Sequence, residues 1–238
     1  MHTPTTTQAL EHRYVRCPRV AAVIVSASTS AAIVIAGQER SIGKCVDELR
    51  HYPGRTITRY DLPGPGDPTT LTRDEVARTH AVYSRISEKE LVWFVERATS
   101  APWPPVDADL QRAEPNIRNG LYDQLEAFYR HFEKDAPSRV ARSKISKVLH
   151  IKRPMAYPIL DSKVTNVYRQ DAEQAIERYP RLKYQKAAYW VAIRHDLITN
   201  TESEALAQLR AALGHEGTLG ANLSRITDLR LLDMLTWH

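Results

Sequence analysis

Cysteine is nearly absent from this 238-residue sequence, which has only two, Cys17 and Cys45. Two cysteines are too few for a disulfide framework, for a zinc site with four cysteine ligands or for an iron–sulfur cluster, unless other residues complete the site. A reducing compartment suits such a sequence, and a cytoplasmic location is therefore expected.

Long apolar runs are also scarce, and the longest, residues 20–36, is interrupted by serine and threonine. Its length is close to the lower limit for a membrane-spanning helix. Arginines precede it, as basic residues precede a signal peptide, but no small-residue cleavage site followed by a normal mature start is present. We interpret the run as buried protein that forms either a strand pair or a helix, and we favour the helix because the rest of the chain is helical. No membrane partner is expected.

The signature motifs of several enzyme classes are missing from the sequence. It has no Walker loop, no Rossmann glycine set, no G-x-S-x-G elbow and no HExxH pair. Phosphate-cradling glycine loops, serine nucleophile elbows and paired histidine ligands depend on those spacings. We therefore expect neither a cofactor nor a bound metal ion.

The charge that is present is moderately basic. The net charge is +5 and the isoelectric point is about 9.2. Hydrophobic residues make up 42% and charged residues 26% of the chain, which is ordinary for a soluble globular protein able to bury one sizeable core or two small ones. A basic excess of this size fits contact with nucleic acid, although many small enzymes share it.

Helical periodicity dominates the chain. Capping boxes predict helix starts at Thr72 with Glu75, at Ser87 with Glu90 and at Thr201 with Glu204. Further helices are predicted over 39–51, 119–134 and 184–197. Gly214, Gly217 and Gly220 predict a loop, after which a last helix starts at Asn222 or Ser224. In that helix Ile226, Leu229, Leu232 and Leu235 should be buried, and Arg230 and Asp233, spaced i, i+3, should form an ion pair. About eight helices predict an all-α globular fold. Proline and glycine in 52–68 and 101–110 predict irregular segments. Residues 1–51 form an N-terminal segment that could be an appendage, and 52–238 form the helical body.

The functional prediction rests mainly on residues 138–169, which are predicted to form a basic helix, an extended segment and a second helix. Ser138 is a suitable N-cap, and Pro154 should end the helix that it starts because proline cannot donate a backbone N–H. Helical spacing places four residues on a buried stripe, namely Ala141, Ile145, Val148 and Leu149. It places six on the solvent side, namely Arg139, Ser143, Ser146, Lys147, His150 and Arg153. Arg142 and Lys144 lie on the flanks.

This basic helix has no acidic residue nearby in sequence, because none occurs between Arg139 and Leu160. The positive charge could form a phosphate-contacting stripe, which supplies the sequence-independent part of nucleic-acid affinity. The predicted nucleic-acid-binding residues are Arg139, Arg142, Lys147, His150, Arg153 and Lys163. The alternative is a solvated face that pairs with acidic residues from elsewhere.

Asp161 should open the next helix. Its carboxylate can accept hydrogen bonds from the first free N–H groups, and Val164, Val167 and Tyr168 would give that helix its buried side.

The layout of this stretch resembles the helix-hairpin-helix DNA glycosylases. SKISKVLHIKRP followed by YPILDSKV is similar to their hairpin helix and the extended run that leads to an aspartate, and Lys144 precedes Asp161 by 17 positions (161 − 144). The resemblance implies a glycosylase-like all-α fold, duplex DNA as partner and excision of a base. It implies that Asp161 stabilises the positive sugar or orients water, and that Lys144 forms a Schiff base with the sugar.

Two other interpretations accompany that resemblance. Val140, Ala141 and Arg142 stand where the family has hairpin glycines, which favours a non-catalytic DNA-binding or regulatory module on the same fold. In that case Asp161 is only a helix cap and Lys144 only a solvated charge. The other is a small-molecule enzyme on a helical scaffold.

From about residue 52 onward the chain also resembles an uncharacterised bacterial family of unknown function. The similar stretches are RYD…GDP in 59–68, SK…L…KRP…P…DS in the centre, and LSRITDLRLLDMLTW at the end. This resemblance implies membership of a family without implying an activity.

Overall fold

The structure is a computed structural model that describes residues 31–182 and 185–237. It begins with a hairpin of two antiparallel strands, β1 (Ala32–Ile35) and β2 (Gln38–Ser41), paired in the register of Ala32 with Ser41. Ala36 and Gly37 both have positive φ, as the tightest hairpin turn requires. The helix predicted over 20–36 is wrong for 32–35, where β-branched residues favour a strand. Residues 20–30 lie outside the described part.

Twelve α-helices are formed by the described residues. They are α1 (Ile42–Arg50), α2 (Gly54–Thr56), α3 (Arg73–Ala77), α4 (Glu88–Ala98), α5 (Leu121–Glu133), α6 (Arg142–Lys152), α7 (Ser162–Val167), α8 (Arg169–Arg178), α9 (Gln185–Glu202), α10 (Ala205–Leu213), α11 (Gly217–Leu223) and α12 (Asp228–Thr236). A π-helix, Ile57–Asp61, continues α2, and Arg78–Val82 and Leu110–Arg112 form 3₁₀-helices. The predicted all-α fold is confirmed. None of these described helices is both long and apolar enough to cross a lipid bilayer.

Several predicted helix ends are confirmed. Thr72 with Glu75 and Ser87 with Glu90 form complete capping boxes at the starts of α3 and α4. Asp161 caps α7, and α6 ends just before Pro154. These ends follow from side-chain chemistry within four residues, which sequence reports directly.

Other predicted ends are wrong, for local reasons. Residues 137–140 form a turn, so α6 begins at Arg142 rather than behind Ser138. The Thr201 hydroxyl donates to the carbonyl of Leu197 instead of capping, and α9 therefore continues to Glu202. Gly217 and Gly220, predicted to lie in a loop, belong to α11, and the last helix begins at Asp228 behind Thr227 rather than at Asn222 or Ser224.

The segment 52–68, predicted to be irregular, is helical over its first half. Pro53 stands at the N-cap of α2, where its missing N–H costs nothing, and residues 55–61 contain neither proline nor glycine. The second half does form a loop. In it Gly66 has a φ of +63°, a left-handed conformation that favours glycine, and an added Cβ would clash with Glu75 Oε1 unless that side chain shifted. Glycine therefore suits the place where the loop passes over Glu75.

Helix α6 lies in the centre of the core, against α5, α3 and the 3₁₀-helix Arg78–Val82. The apolar residues predicted to be buried are buried at Ile145, Val148, Leu149, Val164, Tyr168, Leu229 and Leu232. The prediction is wrong for Ala141, which is exposed, and for Val167, which is 36% exposed.

The hairpin packs on α9. Asn200 accepts a hydrogen bond from Val34 N at 2.7 Å and donates to Val34 O at 2.8 Å, and Asp196 accepts from Ala36 N at 2.6 Å. These side chains satisfy the free backbone edge of β1. Ile33 and Cys45 belong to the same apolar core as α9 and α12.

Candidate active site

Most of the basic residues predicted to lie on the solvent side around α6 are buried. Lys147, His150 and Arg153 are 6%, 3% and 1% exposed, and Ser146 is also buried. The predicted solvent side of this helix is therefore wrong, and a phosphate stripe along it has no accessible charge at those three positions. Of the predicted stripe, Arg139 and Lys163 are exposed, and Arg142 is partly buried beside Thr165 and Tyr189.

Proline-rich loops supply the partners of these buried charges. The Arg153 guanidinium donates to the carbonyls of Pro68, Pro104 and Pro105, and Lys152 Nζ donates to Pro65 O. Proline-rich segments form no regular backbone hydrogen-bond ladder, so their carbonyls remain free to accept hydrogen bonds. Carbonyls and carboxylates from distant parts of the chain therefore bind the positive charges of α6, which has no acidic residue nearby in sequence.

Lys144 does not share a cavity with Asp161. Its Nζ forms an ion pair with Glu90 Oε1 at 2.6 Å, and it does not line the cleft that contains Asp161. An ammonium held by a carboxylate is a poor amine nucleophile, because Schiff-base formation needs the neutral amine.

Asp161 lies in the wall of a cleft of about 240 Å³, which we call the Asp161 cleft. Its charged lining residues are Lys147, Asp161, Arg230 and Asp233, and its aromatic ones are Tyr52, Tyr83 and Trp237. Helices α6, α7 and α12 and the turn before α2 each contribute at least one of them. Aromatic walls with a few convergent polar groups are typical of ligand sites.

The two carboxylates of the cleft each keep one unpaired oxygen. Asp161 Oδ1 accepts from the backbone N–H groups of Lys163 and Val164, both at 3.0 Å, whereas Oδ2 is buried without a hydrogen-bond partner in the described structure. Asp233 Oδ2 accepts from Arg230, and its Oδ1 is likewise buried and unpaired among the described residues. Buried unpaired acceptors are rare because each costs free energy, so they indicate sites where a ligand or water completes the bonding.

Arg230 holds Asp233 in place and connects it to Asp61. The guanidinium lies 2.8 Å from Asp61 Oδ1 and 2.9 Å from the Tyr52 hydroxyl. Burial raises the pKa of Asp233 to about 7, assisted by the charge of Asp161 and opposed by Arg230. The predicted i, i+3 ion pair of Arg230 and Asp233 is confirmed.

Lys147 is the amine in this cleft. Its Nζ donates to Val82 O at 2.8 Å. Burial lowers the pKa of Lys147, while Asp161 and Asp233 act in the opposite direction. With every group ionised, two cations (Lys147, Arg230) and three carboxylates (Asp61, Asp161, Asp233) give 2 − 3 = −1, so one added proton makes the cluster neutral.

Tyr83 stands at the mouth of the cleft. It is 72% exposed and has a φ of +58°, a backbone conformation that costs free energy for a bulky residue. A second aromatic lining residue, Trp237, has its ring centre 5.6 Å from the Lys163 ammonium. The cleft lining therefore combines an exposed aromatic ring with nearby positive charge.

A basic hollow adjoins the cleft and shares Pro53, Thr56 and Tyr83 with it. Its charged lining consists of Arg55, Arg59, Arg78 and His80, with no acidic residue among the described residues that form it. Arg55, Arg59 and His80 are exposed, and their side chains make no hydrogen bond or ion pair to other described residues. This hollow therefore places accessible positive charge next to the Asp161 cleft.

The sequence identified Asp161 but not its surroundings. The prediction treated Asp233 and Arg230 only as an ion pair, and placed Lys147 in solvent. A signal was available, because an arginine and an aspartate within the otherwise apolar run LRLLDML must be buried as a pair. Arg55 and Arg59 carried no comparable signal, since ordinary surface arginines look the same.

Residues 102–238 match a family of unknown function, DUF6308. The chain belongs to this family. The predicted resemblance to an uncharacterised family is thereby confirmed, and two of its three similar stretches lie inside the match. The matched part contains all four charged residues of the Asp161 cleft, whereas Arg55, Arg59 and Tyr83 precede it. No curated protein and no solved structure matches the chain.

Proposed function

We propose that this protein binds nucleic acid and hydrolyses the N-glycosidic bond of a base held in the Asp161 cleft. The observation that carries the proposal is the pair of buried carboxylates, Asp161 and Asp233, each with an unpaired oxygen in one aromatic-walled cleft. Two carboxylates in different environments can divide the acid and the electrostatic role between them.

The reaction assigns one role to each carboxylate. Asp233 carries a proton over much of its population near neutral pH, because its pKa is about 7, and it donates that proton to the departing base. The electron pair of the carbon–nitrogen bond goes to the base, and the sugar carbon becomes positive. The Asp161 carboxylate stabilises this charge. Water then adds to the carbon, and its released proton passes to Asp161, after which proton exchange with solvent restores both groups.

The charge of the cluster supports this division. A protonated Asp233 leaves Lys147, Arg230, Asp61 and Asp161 neutral in sum (2 − 2 = 0), and loss of the proton gives −1 at the moment when the sugar becomes +1. A site that gains negative charge as the substrate gains positive charge stabilises the transition state more than the ground state.

Nucleic acid as the substrate is supported by the surface around the cleft. Arg55 and Arg59 offer unpaired guanidinium groups to phosphates, and Tyr83 offers a ring on which a base can stack. Asp161 also opens α7 after an extended crossing from α6, which is the layout that resembles the helix-hairpin-helix glycosylases. Lys163, which lies beside the lining residue Trp237, would add a contact at the edge of this surface.

The second candidate is a nucleic-acid-binding module without catalysis. Val140, Ala141 and Arg142 occupy the positions of the glycosylase hairpin glycines, and Asp161 already has a structural role as a cap. This candidate predicts binding without base release.

Replacement of Asp161 by asparagine separates the two candidates. Asparagine caps helices as well as aspartate does, so stability and binding should be retained, while base release should fall by about 10²-fold or more. Release is measured on a panel of lesion-bearing single- and double-stranded oligonucleotides. Asp109→Asn is the matched control, since Asp109 also caps a helix but does not line the cleft. A parent protein that releases no base, or a variant equal to its parent, would leave only the binding module.

A further inference from the structure

A second cavity of about 240 Å³ lies on the other side of Arg230. Its polar lining consists of Tyr60, Asp61, Arg78, His150, Arg225, Thr227 and Arg230. Arg230 lines both this cavity and the Asp161 cleft. The reaction proposed above uses neither Arg78 nor Arg225.

The charge of this cavity is strongly positive. Its lining carries three arginines, Arg78, Arg225 and Arg230, and one carboxylate, Asp61, which gives a formal charge of 3 − 1 = +2; Asp233, the second partner of Arg230, lies outside the lining. A phosphate monoester carries about −1.5 to −2 at neutral pH. A ligand of that charge would neutralise the cavity.

Donor groups in the cavity lack acceptors. Arg78 donates through both Nη atoms to the carbonyls of Tyr60 and Gly64, but its Nε is buried without a hydrogen-bond partner in the described structure. Arg225 is exposed and forms no hydrogen bond or ion pair through its side chain with other described residues. A buried arginine N–H without an acceptor is costly, and an anion in the cavity would remove that cost.

His150 adds an acceptor to these donors. Its Nδ1 lies 2.7 Å from the carbonyl of Tyr157, so Nδ1 carries the proton and Nε2 keeps its lone pair. Burial, with Arg230 assisting, lowers the pKa of His150 to about 3, and the ring is therefore neutral at physiological pH. A neutral ring nitrogen accepts a hydrogen bond from a hydroxyl group, such as that of a sugar or of a protonated phosphate.

We propose that this cavity binds a terminal phosphate group, held by Arg225 and Arg78 and oriented by His150. Inorganic phosphate, a nucleotide and a sugar phosphate all present this group, and the chemistry recognised is the same. This site does not depend on the proposed cleavage, because it needs neither Asp161 nor Asp233.

Isothermal titration calorimetry and thermal melting at constant ionic strength test the proposal, with inorganic phosphate, a nucleoside monophosphate and a sugar phosphate as separate ligands. We expect saturable binding of at least one of them and an increase in melting temperature that chloride does not produce. Arg225→Ala should weaken that binding at least tenfold. Arg118→Ala is the matched control, since Arg118 is an exposed arginine outside the cavity and should leave the affinity unchanged.

A second variant covers the buried part of the site. His150→Gln retains an acceptor but offers a different geometry, and it should alter the preference between inorganic phosphate and the hydroxyl-bearing esters more than the affinity for phosphate itself. Tightest binding of the nucleoside monophosphate would identify a nucleotide as the source, and equal binding of all three would identify the phosphate group alone. Absence of saturable binding, or equal binding by the parent and Arg225→Ala, would refute the site.

Discussion

Lys152 Nζ lies 2.7 Å from Glu75 Oε1, in an ion pair whose side chains are only 1% and 10% exposed. The other oxygen of Glu75 accepts from Thr72 N and completes the capping box of α3. Glu90 has the same two roles in α4. Its Oε2 accepts from Ser87 N in the capping box, and its Oε1 accepts from Lys144 Nζ. Two capping boxes thus hold the two ends of α6, which orients Lys147 between them toward the Asp161 cleft.

Removal of the Glu75 charge should destabilise the fold strongly. Glu75→Gln keeps a residue able to complete the capping box but leaves the Lys152 ammonium buried without its counter-charge, so the free energy of unfolding should fall by about 3–5 kcal/mol. Urea denaturation measures the loss.

A surface ion pair gives the control for that variant. Glu88 pairs with Arg73 where both side chains are more than half exposed, and Glu88→Gln should cost less than about 1 kcal/mol. The double variant Glu75→Gln/Lys152→Met should recover part of the loss, because it removes the unpaired charge. Equal costs for Glu75→Gln and Glu88→Gln would contradict the central role of this pair.

Glu90 should make the stability of the folded protein depend on pH in the acidic range. Burial alone would raise its pKa, but hydrogen bonds from Lys144 and Ser87 outweigh burial and hold the pKa below the ordinary value of 4.5. A lowered pKa stabilises the folded state above about pH 4.5, and that stability is lost as the pH falls through the folded-state pKa. Glu90→Gln should therefore lower the stability at pH 7 and reduce its decline between pH 4.5 and 3, as measured by denaturation over that range.

The basic hollow should supply the salt-dependent part of nucleic-acid binding. Arg55→Glu/Arg59→Glu should weaken binding of single- and double-stranded oligonucleotides, and should reduce the slope of log affinity against log salt by about 1.4 to 1.8 if both residues contact phosphate. Fluorescence anisotropy over a salt series measures both effects. Arg118→Glu/Arg178→Glu changes the net charge equally at exposed positions outside the hollow. If this control weakens binding as much as the test variant does, binding is non-specific attraction to the whole molecule.

Features set by residues close together in the sequence, such as helix caps, could be predicted. Contacts that form only when distant helices pack together in the core could not. Asp161, Glu75 and Glu90 were predicted as caps because a cap needs only residues within one turn. The second partner of each glutamate, a lysine of α6, lies more than 50 positions away and leaves no local signal. Helical spacing also placed Lys147 in solvent, because a periodicity argument assigns one solvent-exposed side to every helix. Helix α6 is instead surrounded by protein.

The rate of base release should depend on the protonation of Asp233. Burial raises the pKa of Asp233 to about 7, and only its protonated form can donate to the leaving base. The protonated fraction falls tenfold for each pH unit above the pKa, so the single-turnover rate should decline with that slope between about pH 8 and 9. Single-turnover measurements with saturating protein isolate this step from substrate binding and product release.

Asp233→Asn provides the decisive comparison for that pH profile. Asparagine still accepts a hydrogen bond from Arg230, and Arg230 keeps its ion pair with Asp61. We therefore expect the variant to fold, and its melting temperature checks this. It has no proton to donate as an acid, and its residual rate should be lower than that of the parent and independent of pH from 6 to 9. Asp109→Asn should retain the parent profile, because Asp109 does not line the cleft. A parent rate that stays constant from pH 7 to 9 would exclude Asp233 as the acid, even if Asp161 proves essential.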